Sequence, residues 1–297
     1  MKKILCVCLS ATYQRSVFFE NLEVNEVNRS AHYSLYASGK AVNSARVLAQ
    51  LQKDSAITVC PLGKQNNAEF IELAQKDGLN LEYIEVPGKI RECWTLLDKT
   101  NGTTTELVVG EPAWEVPVEN ADIKLLKVIT QALDECDALL LAGSRQGIWP
   151  DDIYAAICGI ALDRKKLVLA DFIGKDLELS LKTAIPSIIK INGAEFFKTF
   201  RVEATKETVC QMSSRYKNII VVTRGKDSTL AAQDGNFYEC PTLTVPVVNT
   251  IACGDSFNAG FLYEYLQTAD LQKALEKGTW CAAQNAGLEA PGAIKRL

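Results

Sequence analysis

The segment Asn249–Gly260 carries the strongest chemical signal in the sequence. It reads Asn-Thr-Ile-Ala-Cys-Gly-Asp-Ser-Phe-Asn-Ala-Gly, a polar turn rich in small residues that leads into a helical pattern. Small residues let backbone N–H groups approach an anion, and a helix N-terminus favours negative charge. Asp255 falls in the first turn of this helix. It is there either as a helix cap or as a general base beside a bound phosphate.

A second segment, Ser38–Arg46, also opens a helical pattern. Lys40 falls in its first turn, where a positive charge is unfavourable for the helix dipole. The lysine is therefore either simply solvated or placed there for an anionic ligand. The segment lacks the GxxxxGK[ST] spacing of a P-loop. No GxGxxG motif follows the first predicted strand either, which argues against a nicotinamide-dependent dehydrogenase.

Two shorter signals follow later in the chain. Asn192 comes directly after an apolar run, and Glu195 lies three residues further on. Their oxygens suit a hydrated Mg²⁺ ion, although the same two residue types also form a helix capping box. Thr223 and Gly225 end another apolar run, and they are either neighbours of nucleotide phosphates or part of a βα turn.

Composition excludes several classes of function. The chain has 297 residues and a net charge of −4, which argues against nucleic acid as a partner. No apolar run is long enough for a membrane span. With His32 as the single histidine, a His-rich zinc site and a Ser-His-Asp triad elsewhere are ruled out. The ten cysteines are scattered without a CxxC pair, and the N-terminus reads as a strand rather than a signal peptide. We therefore expect a cytoplasmic protein with reduced, buried cysteines.

Apolar runs of strand length alternate with amphipathic stretches along the chain. This alternation predicts a parallel sheet that is buried on both faces by helices. The predicted strands are Lys3–Leu9, Ala56–Pro61, Ala138–Ala142, Leu167–Asp171, Ser187–Ile191, Asn218–Thr223 and Thr229–Ala232. The predicted helices are Lys40–Leu51, Ala68–Lys76, Ala121–Glu135, Asp151–Asp163, Lys206–Tyr216, Asp255–Leu266 and Leu271–Ala286.

Two segments interrupt this alternation, Val17–Tyr36 and Arg91–Gly110. Both are typical of strands, and Asn101-Gly102 in the second is a strong signal for a hairpin turn. We expect the two segments to pair with each other as a small sheet beside the main one. A flap of this kind commonly closes over a ligand.

Taken together, these motifs resemble the ribokinase-like (PfkB) family of sugar kinases over essentially the whole chain. The order and spacing of the Gly39-Lys40…Asn43 segment, the Asn192/Glu195 pair and the Cys253–Ser256 segment carry the resemblance. Further segments are similar to the 1-phosphofructokinase and tagatose-6-phosphate kinase branch. These are Phe18–Arg29, Ala45–Leu48, Thr104–Leu107 with Glu111-Pro112, and Ala142–Ser144.

The resemblance implies one α/β/α Rossmann-like domain over residues 1–297, with a β-sheet lid contributed by about 11–37 and 88–112. It implies transfer of the γ-phosphate of ATP, with Mg²⁺, to a hydroxyl of a sugar phosphate such as fructose 1-phosphate or tagatose 6-phosphate. The implied partners are therefore ATP and a sugar phosphate. Exposed lid strands would also allow a homodimer through the lid.

The resemblance also implies roles for the matching residues. Asp255 would take the proton from the acceptor hydroxyl, while Lys40 and Arg91 would bind the phosphate that the sugar already carries. Backbone N–H groups of the anion hole would come from Ala252, Cys253 and Gly254. The other matching positions are Gln14, Gly39 and Asn43 for the sugar, Thr223, Gly225, Asn192 and Asn285 for ATP, and Asn192 and Glu195 for Mg²⁺.

Four residues depart from the family's usual pattern. Gln14 stands in place of an aspartate, and Ser38, Ala41 and Ala252 stand in place of glycines. These changes predict altered sugar recognition with phosphate handling retained. If the φ angle of Ala252 is positive, strain or a misplaced N–H group predicts a slow kinase.

Two rival functions stay open at this point. A non-catalytic sensor of sugar phosphate or nucleotide would not need Asp255, Asn192 and Glu195 together, and the presence of all three favours an enzyme. A kinase of an unphosphorylated sugar would not need both Lys40 and Arg91.

Overall fold

The computed structural model describes residues 2–110, 118 and 120–295, which form thirteen strands and nine helices. The strands are β1 Ile4–Val7, β2 Thr12–Phe19, β3 Tyr33–Ser38, β4 Ala56–Gly63, β5 Leu81–Val86, β6 Arg91–Asp98, β7 Thr103–Val109, β8 Ala138–Ala142, β9 Leu167–Asp171, β10 Ile188–Asn192, β11 Ile219–Arg224, β12 Asp227–Gln233 and β13 Asn236–Cys240. The helices are α1 Lys40–Leu51, α2 Asn67–Lys76, α3 Ala121–Asp134, α4 Ile153–Asp163, α5 Lys175–Thr183, α6 Gly193–Phe200, α7 Lys206–Tyr216, α8 Cys253–Thr268 and α9 Leu271–Ala286.

The larger sheet has nine strands in the order β13-β12-β11-β10-β9-β8-β1-β4-β5. The strands from β11 to β5 pair in parallel, and β12 and β13 add two antiparallel strands at one edge. The sheet is therefore mixed, whereas the sequence predicted a parallel one. The carboxyl ends of the parallel strands meet at one edge, which is where ligands bind in sheets of this kind.

Helices cover both faces of this sheet. Along β1, Cys6 belongs to one buried apolar cluster and Leu5 and Val7 belong to the other, because successive side chains point to opposite faces. The first cluster contains residues of α1, α2, α8 and α9, and the second contains residues of α3, α4, α5, α6 and α7. The predicted three-layer α/β/α fold is thus confirmed. Among the described residues, no helix combines the length and apolarity needed to cross a membrane.

A separate four-stranded sheet, which we call the lid, has the order β3-β2-β6-β7. Its two central strands come from different parts of the chain and pair in parallel, with Thr12 opposite Arg91. The hairpin between β6 and β7 turns at Asn101-Gly102, and the Asp98 carboxylate accepts hydrogen bonds from the backbone and side chain of Asn101. The sequence segment Glu111-Pro112 lies outside the described residues.

Four elements are absent from the predicted strands and helices, namely β5, β13, α5 and α6, although the capping-box interpretation of Asn192 and Glu195 anticipated the start of α6. In β5 the charged residues Glu82 and Glu85 are exposed while Ile84 and Val86 are buried, as expected of an edge strand. Such strands lack the continuous apolar run that marked the central ones. Helix α5 is short and polar, and it buries only Leu177 and Ser180.

Candidate active site

A cavity of about 270 Å³ lies between the carboxyl edge of the large sheet and the lid. Arg91, the first residue of β6, and Lys40, the first residue of α1, both line it. The other lining residues are Ser10, Gly143, Ser144, Phe172, Ile173, Asp176 and Glu195. The structure therefore brings the two cations that the sequence singled out for phosphate binding into one cavity.

The backbone that carries Lys40 depends on the glycine before it. Gly39 has a φ of +131°, and a Cβ atom at this position would lie 2.6 Å from Cys8 Sγ. Both the backbone angle and the lack of space exclude a side chain. Gly39 thus lets β3 of the lid turn directly into α1, which places Lys40 at the mouth of the cavity.

Beneath the cavity, the buried carboxylate of Asp171 binds two lysines. Lys40 Nζ lies 2.8 Å from Asp171 Oδ1, and Lys190 Nζ lies 3.0 Å from Oδ2. Asn258 on α8 donates from its side-chain amide to Oδ2 at 2.6 Å. Burial by itself would raise the pKa of Asp171, but Lys190 and Lys40 outweigh burial and hold that pKa well below its usual range. Asp171 is therefore ionised, and its carboxylate holds the ammonium group of Lys40 in place.

Lys40 keeps its positive charge in this partly buried place. Burial tends to lower its pKa, but Asp171, Asp255 and Glu195 together raise the pKa above that of an ordinary lysine. The nearest Glu195 oxygen lies 3.8 Å from Lys40 Nζ. Lys40 is thus a permanent cation that faces the cavity and is surrounded by acidic groups.

Asp255 lies at the first turn of α8 and is only 7% exposed. Its Oδ2 atom accepts a hydrogen bond of 2.9 Å from the Asn43 side-chain amide. Burial raises the pKa of Asp255 to about 6, although Lys40 and Asn43 act in the opposite direction. A carboxylate with this pKa is mostly ionised at neutral pH and is more basic than an exposed one, which suits a general base.

The turn before α8 has an unusual backbone. Ala252 precedes the helix with φ +65° and ψ 11°, which is the left-handed conformation that favours glycine. The first N–H groups of a helix have no carbonyl partner within it, so those of Gly254 and Asp255 are available to an anion. A Cβ atom on Gly254 would lie 2.9 Å from Lys190 Nζ, so a side chain there would require the end of Lys190 to shift. Burial raises the pKa of the neighbouring Cys253 thiol, which argues against a thiolate role.

Asn192 and Glu195 form a capping box at the start of α6. Glu195 N–H donates to Asn192 Oδ1 at 2.9 Å, and Asn192 N–H donates to Glu195 Oε2 at 2.8 Å. The other carboxylate oxygen of Glu195 is the one nearest to Lys40, and Glu195 lines the cavity. The cap therefore uses one oxygen of Glu195 and leaves the other facing the cavity.

Thr223 is the next-to-last residue of β11 and lies directly beside Asn192, its partner in the parallel ladder. Gly225 follows in the turn between β11 and β12, with a φ of +63°. This turn joins two antiparallel strands. The alternative interpretation as a βα turn is therefore wrong.

Of the site residues predicted from the sequence, Lys40, Arg91 and Glu195 line the cavity and the others do not. Gln14 is buried in the lid, where its amide nitrogen donates to Thr95 Oγ1 at 2.7 Å. Asn285 is also buried, and its amide nitrogen donates to Ile251 O at 2.7 Å while its oxygen accepts from Gly292 N at 2.7 Å. Asn285 therefore holds the turn before α8 in place. Direct contacts of these two residues with a ligand stay predictions.

Sequence reasoning missed Asp171, Lys190 and Asn258, although each left a signal. Asp171 stands at the carboxyl end of a buried strand, and Lys190 interrupts the apolar run of β10 with a charge that is only 4% exposed. A charged residue inside a buried strand needs a partner. The partner could not be found from the sequence, because Asp171 and Lys190 are brought together by strand pairing.

Comparisons with known proteins show what the whole chain is similar to. A 1-phosphofructokinase from Vibrio cholerae serotype O1 is 26% identical over 289 residues, which covers 95% of this chain and 89% of that protein. A possible 1-phosphofructokinase from Thermotoga maritima has a similar structure, with a TM-score of 0.87, 17% identity and coverage of 99% of this chain and 94% of the other. For phosphofructokinase-2 from Escherichia coli the TM-score is 0.86, with 16% identity and coverage of 100% and 96%.

The family assignment rests on the whole chain. Residues 1–294 match the family described as pfkB family carbohydrate kinase, which confirms the resemblance seen in the sequence motifs. This chain belongs to the pfkB family of carbohydrate kinases.

Proposed function

We propose that this carbohydrate kinase transfers the γ-phosphoryl group of ATP to a hydroxyl of a phosphorylated ketohexose, with fructose 1-phosphate as the first candidate. The observation that carries the proposal is the shared cavity of Lys40 and Arg91, with the Asp255 carboxylate close to Lys40. Two cations in one cavity suit a substrate that already carries a phosphate. The 1-phosphofructokinase from Vibrio cholerae supports this substrate class, and tagatose 6-phosphate is the second candidate.

In the proposed reaction the acceptor hydroxyl gives its proton to the Asp255 carboxylate. The hydroxyl oxygen then bonds to the γ-phosphorus, the bond to the bridging oxygen breaks, and ADP leaves with those electrons. The Gly254 N–H group, with that of Ala252, forms the anion hole that stabilises charge on the transferred group, whereas the predicted Cys253 N–H donates to Thr250 O at 3.3 Å. Positioning and charge neutralisation of this kind supply most of the catalysis in phosphoryl transfer.

The proposed nucleotide site lies at the carboxyl ends of β10 and β11. Thr223, Gly225 and Asn192 border it, since β10 and β11 are adjacent and end at this edge. Asn285 would act there mainly by holding the turn before α8, because both ends of its amide are bonded within the chain.

The residues present fit a Mg²⁺ ion. Mg²⁺ usually keeps several waters and takes one or two carboxylates together with substrate phosphates. Glu195 offers one carboxylate oxygen toward the cavity while its other oxygen caps α6, and Asn192 is fixed beside it. When bound, the ion would neutralise charge on the ATP phosphates.

We further propose one kinase domain that works in the cytoplasm and forms a homodimer through the lid. All ten cysteines are free, as expected in a reducing compartment.

Trp94 pairs with Leu107 across the lid, and Val109 lies two residues further on the same face. All three side chains are exposed, at 37%, 45% and 50%, which favours a partner surface. Sedimentation of the chain and of Leu107→Glu tests the dimer. A chain that sediments as a monomer at micromolar concentration would contradict it.

An ATP-consumption assay over sugars and sugar phosphates tests the proposed reaction. The expected result is turnover with a phosphorylated ketohexose and little with its unphosphorylated counterpart. Preference for an unphosphorylated sugar would overturn the role of Lys40 and Arg91. Tight binding of sugar phosphate without turnover in the presence of ATP and Mg²⁺ would instead indicate a sensor.

A further inference from the structure

Arg46 is a buried charge on α1 that the proposed reaction does not use. It is 5% exposed and lies one helical turn after Asn43. Its Nε atom lies 2.8 Å from Asp77 Oδ2 at the end of α2, and its Nη2 atom donates to the backbone carbonyl of Ala37 in the lid strand β3. Its Nη1 atom donates to Pro291 O at 3.1 Å. The guanidinium therefore joins α1, α2, the lid and the C-terminal segment.

The same Nη1 atom also donates to Asn43 Oδ1 at 2.9 Å. A guanidinium has five donors and no acceptor, so the Asn43 atom that it contacts must be the oxygen. The amide nitrogen of Asn43 is then directed to the other side, where it donates to Asp255 Oδ2 at 2.9 Å. An ionised carboxylate only accepts hydrogen bonds, so both neighbours of Asn43 demand the same orientation.

Ser38 also contacts Asn43 Oδ1, at 2.9 Å. A hydroxyl can donate or accept, so Ser38 would tolerate either orientation of the amide. Arg46 is thus the group on this side that distinguishes the two orientations. In the reversed orientation Asn43 would present its oxygen to the Asp255 carboxylate, and the two acceptors would repel each other.

We propose that Arg46 is a positioning residue for phosphoryl transfer, because its guanidinium fixes the Asn43 amide so that the nitrogen holds the Asp255 carboxylate in place. This inference rests on the proposed role of Asp255 as the base. It adds a residue that touches neither the sugar nor ATP, but on which the geometry of the base depends.

The charged and titratable groups around Asp255 come from several elements. They are Lys40 on α1, Asp171 at the end of β9, Lys190 on β10 and Cys253 on α8 itself. Asn43 is the neutral donor among these neighbours, and its hydrogen bond lowers the pKa of Asp255 against the effect of burial. Loss of that bond should therefore raise the pKa of the base.

The test compares the pH dependence of kcat/KM in the parent and in Arg46→Gln, with ATP and the best sugar phosphate. The acidic side of this pH profile, which we call the acid limb, reports the pKa of the base in the free enzyme. We expect its midpoint to rise by about half a unit or more in the variant. Turnover at pH 7 should fall roughly tenfold or more, because a misplaced base reacts slowly. The substrate phosphate titrates in the same range, so the difference between variants is the readout and not the midpoint itself.

Asp77→Asn is the matched control. It removes the ion pair on the far side of the same guanidinium and leaves the contact with Asn43. We expect lower thermal stability with an unchanged acid limb. Equal shifts in both variants, or an unshifted and active Arg46→Gln protein, would overturn the positioning role.

A second variant covers the case in which Arg46→Gln does not fold. Asn43→Asp should stay folded, because the new carboxylate can still accept from Arg46, but it places a second negative charge against Asp255. A raised acid limb supports the proposed chain of contacts, and an unmoved one overturns it. Asp255→Asn, measured in parallel, distinguishes a failure of the base assignment from a failure of the Arg46 inference. If it keeps parental turnover, the base assignment fails and the inference fails with it. If it is inactive while Arg46→Gln is normal, the inference alone fails.

Discussion

The change Asp255→Asn should make the protein more stable while it removes activity. The parent places a carboxylate in a buried site where its pKa rises from 3.8 to about 6. Between about pH 4 and pH 6 the folded state therefore binds more protons than the unfolded state. The parent loses stability as the pH rises through this window, and the loss is complete above the folded pKa.

The size of the effect follows from the pKa shift. A shift of about two units, at ~1.4 kcal/mol per unit, corresponds to about 3 kcal/mol at pH 8. Asparagine keeps the shape and can still accept from Asn43, but it carries no charge. The variant should therefore gain up to about 3 kcal/mol relative to the parent.

The assay is urea unfolding of both proteins at one-unit steps from pH 4 to pH 8. The difference in unfolding free energy should be smallest at pH 4 and grow until it levels off above pH 6. Turnover of the variant should fall by roughly 10²–10⁴-fold, with ATP affinity nearly unchanged. A difference in stability that does not depend on pH would refute the raised pKa of the buried Asp255 carboxylate. A variant within threefold of parental turnover would refute the role of Asp255 as the general base.

Asp171→Asn is a useful contrast, since its pKa is shifted in the opposite direction. Burial acts to raise that pKa, but Lys190 and Lys40 hold it well below the ordinary value. The carboxylate therefore stabilises the fold above about pH 4, the ordinary range of an aspartate, and this contribution is lost as the pH falls further. The variant should be destabilised at pH 7, with a deficit that shrinks toward low pH.

Three further predictions concern the ligands and the anion hole. Arg91→Ala should mainly raise the KM for the sugar phosphate, by roughly 10–150-fold, since a charged hydrogen bond is worth about 1.5–3 kcal/mol; an unchanged KM with lower stability would show a purely structural arginine. Glu195→Gln preserves the capping box chemically, so it should raise the Mg²⁺ concentration needed for half-maximal rate without loss of stability, and an unchanged requirement for Mg²⁺ would contradict the metal role. Ala252→Gly should raise kcat with little change in ATP affinity, because a strained backbone with φ +65° would relax. The free energy of unfolding should change by no more than about 1 kcal/mol, since glycine also raises the conformational entropy of the unfolded chain. A slower glycine variant would show that alanine is accommodated at this position.

Local patterns predicted most of the elements well, and they singled out Lys40, Arg91 and Glu195, which the structure brings to one cavity. The bounds of α1, α7, α9, β8 and β9 agree with the sequence prediction to the residue, because each is a long periodic pattern or an unbroken apolar run. Positions such as Lys40, Arg91 and Asp255 could be chosen from the sequence because each breaks a local rule or matches a family motif.

Contacts between distant parts of the chain could not be predicted in this way. The Asn43–Asp255 hydrogen bond joins residues 212 positions apart, and the pairing of Lys40 with Asp171 depends on the strand order of the finished sheet. The predictions for Gln14 and Asn285 show the same limit. Gln14 and Asn285 match family positions, yet the structure engages both in bonds inside the protein.

The layer made of α1, α2, α8 and α9 has a consequence for biosynthesis. The strands at the centre of the sheet are synthesised before residue 192, but α8 and α9 span residues 253–286 and cover part of the same apolar face. Until those helices leave the ribosome, the part of this face that α1 and α2 do not cover stays exposed, and the lysines and aspartate beneath the cavity lack Asn258. A nascent chain of this protein therefore carries an exposed apolar surface and an incomplete candidate site until α8 and α9 have been synthesised. We expect chaperones that bind hydrophobic segments to associate with the nascent chain during that interval.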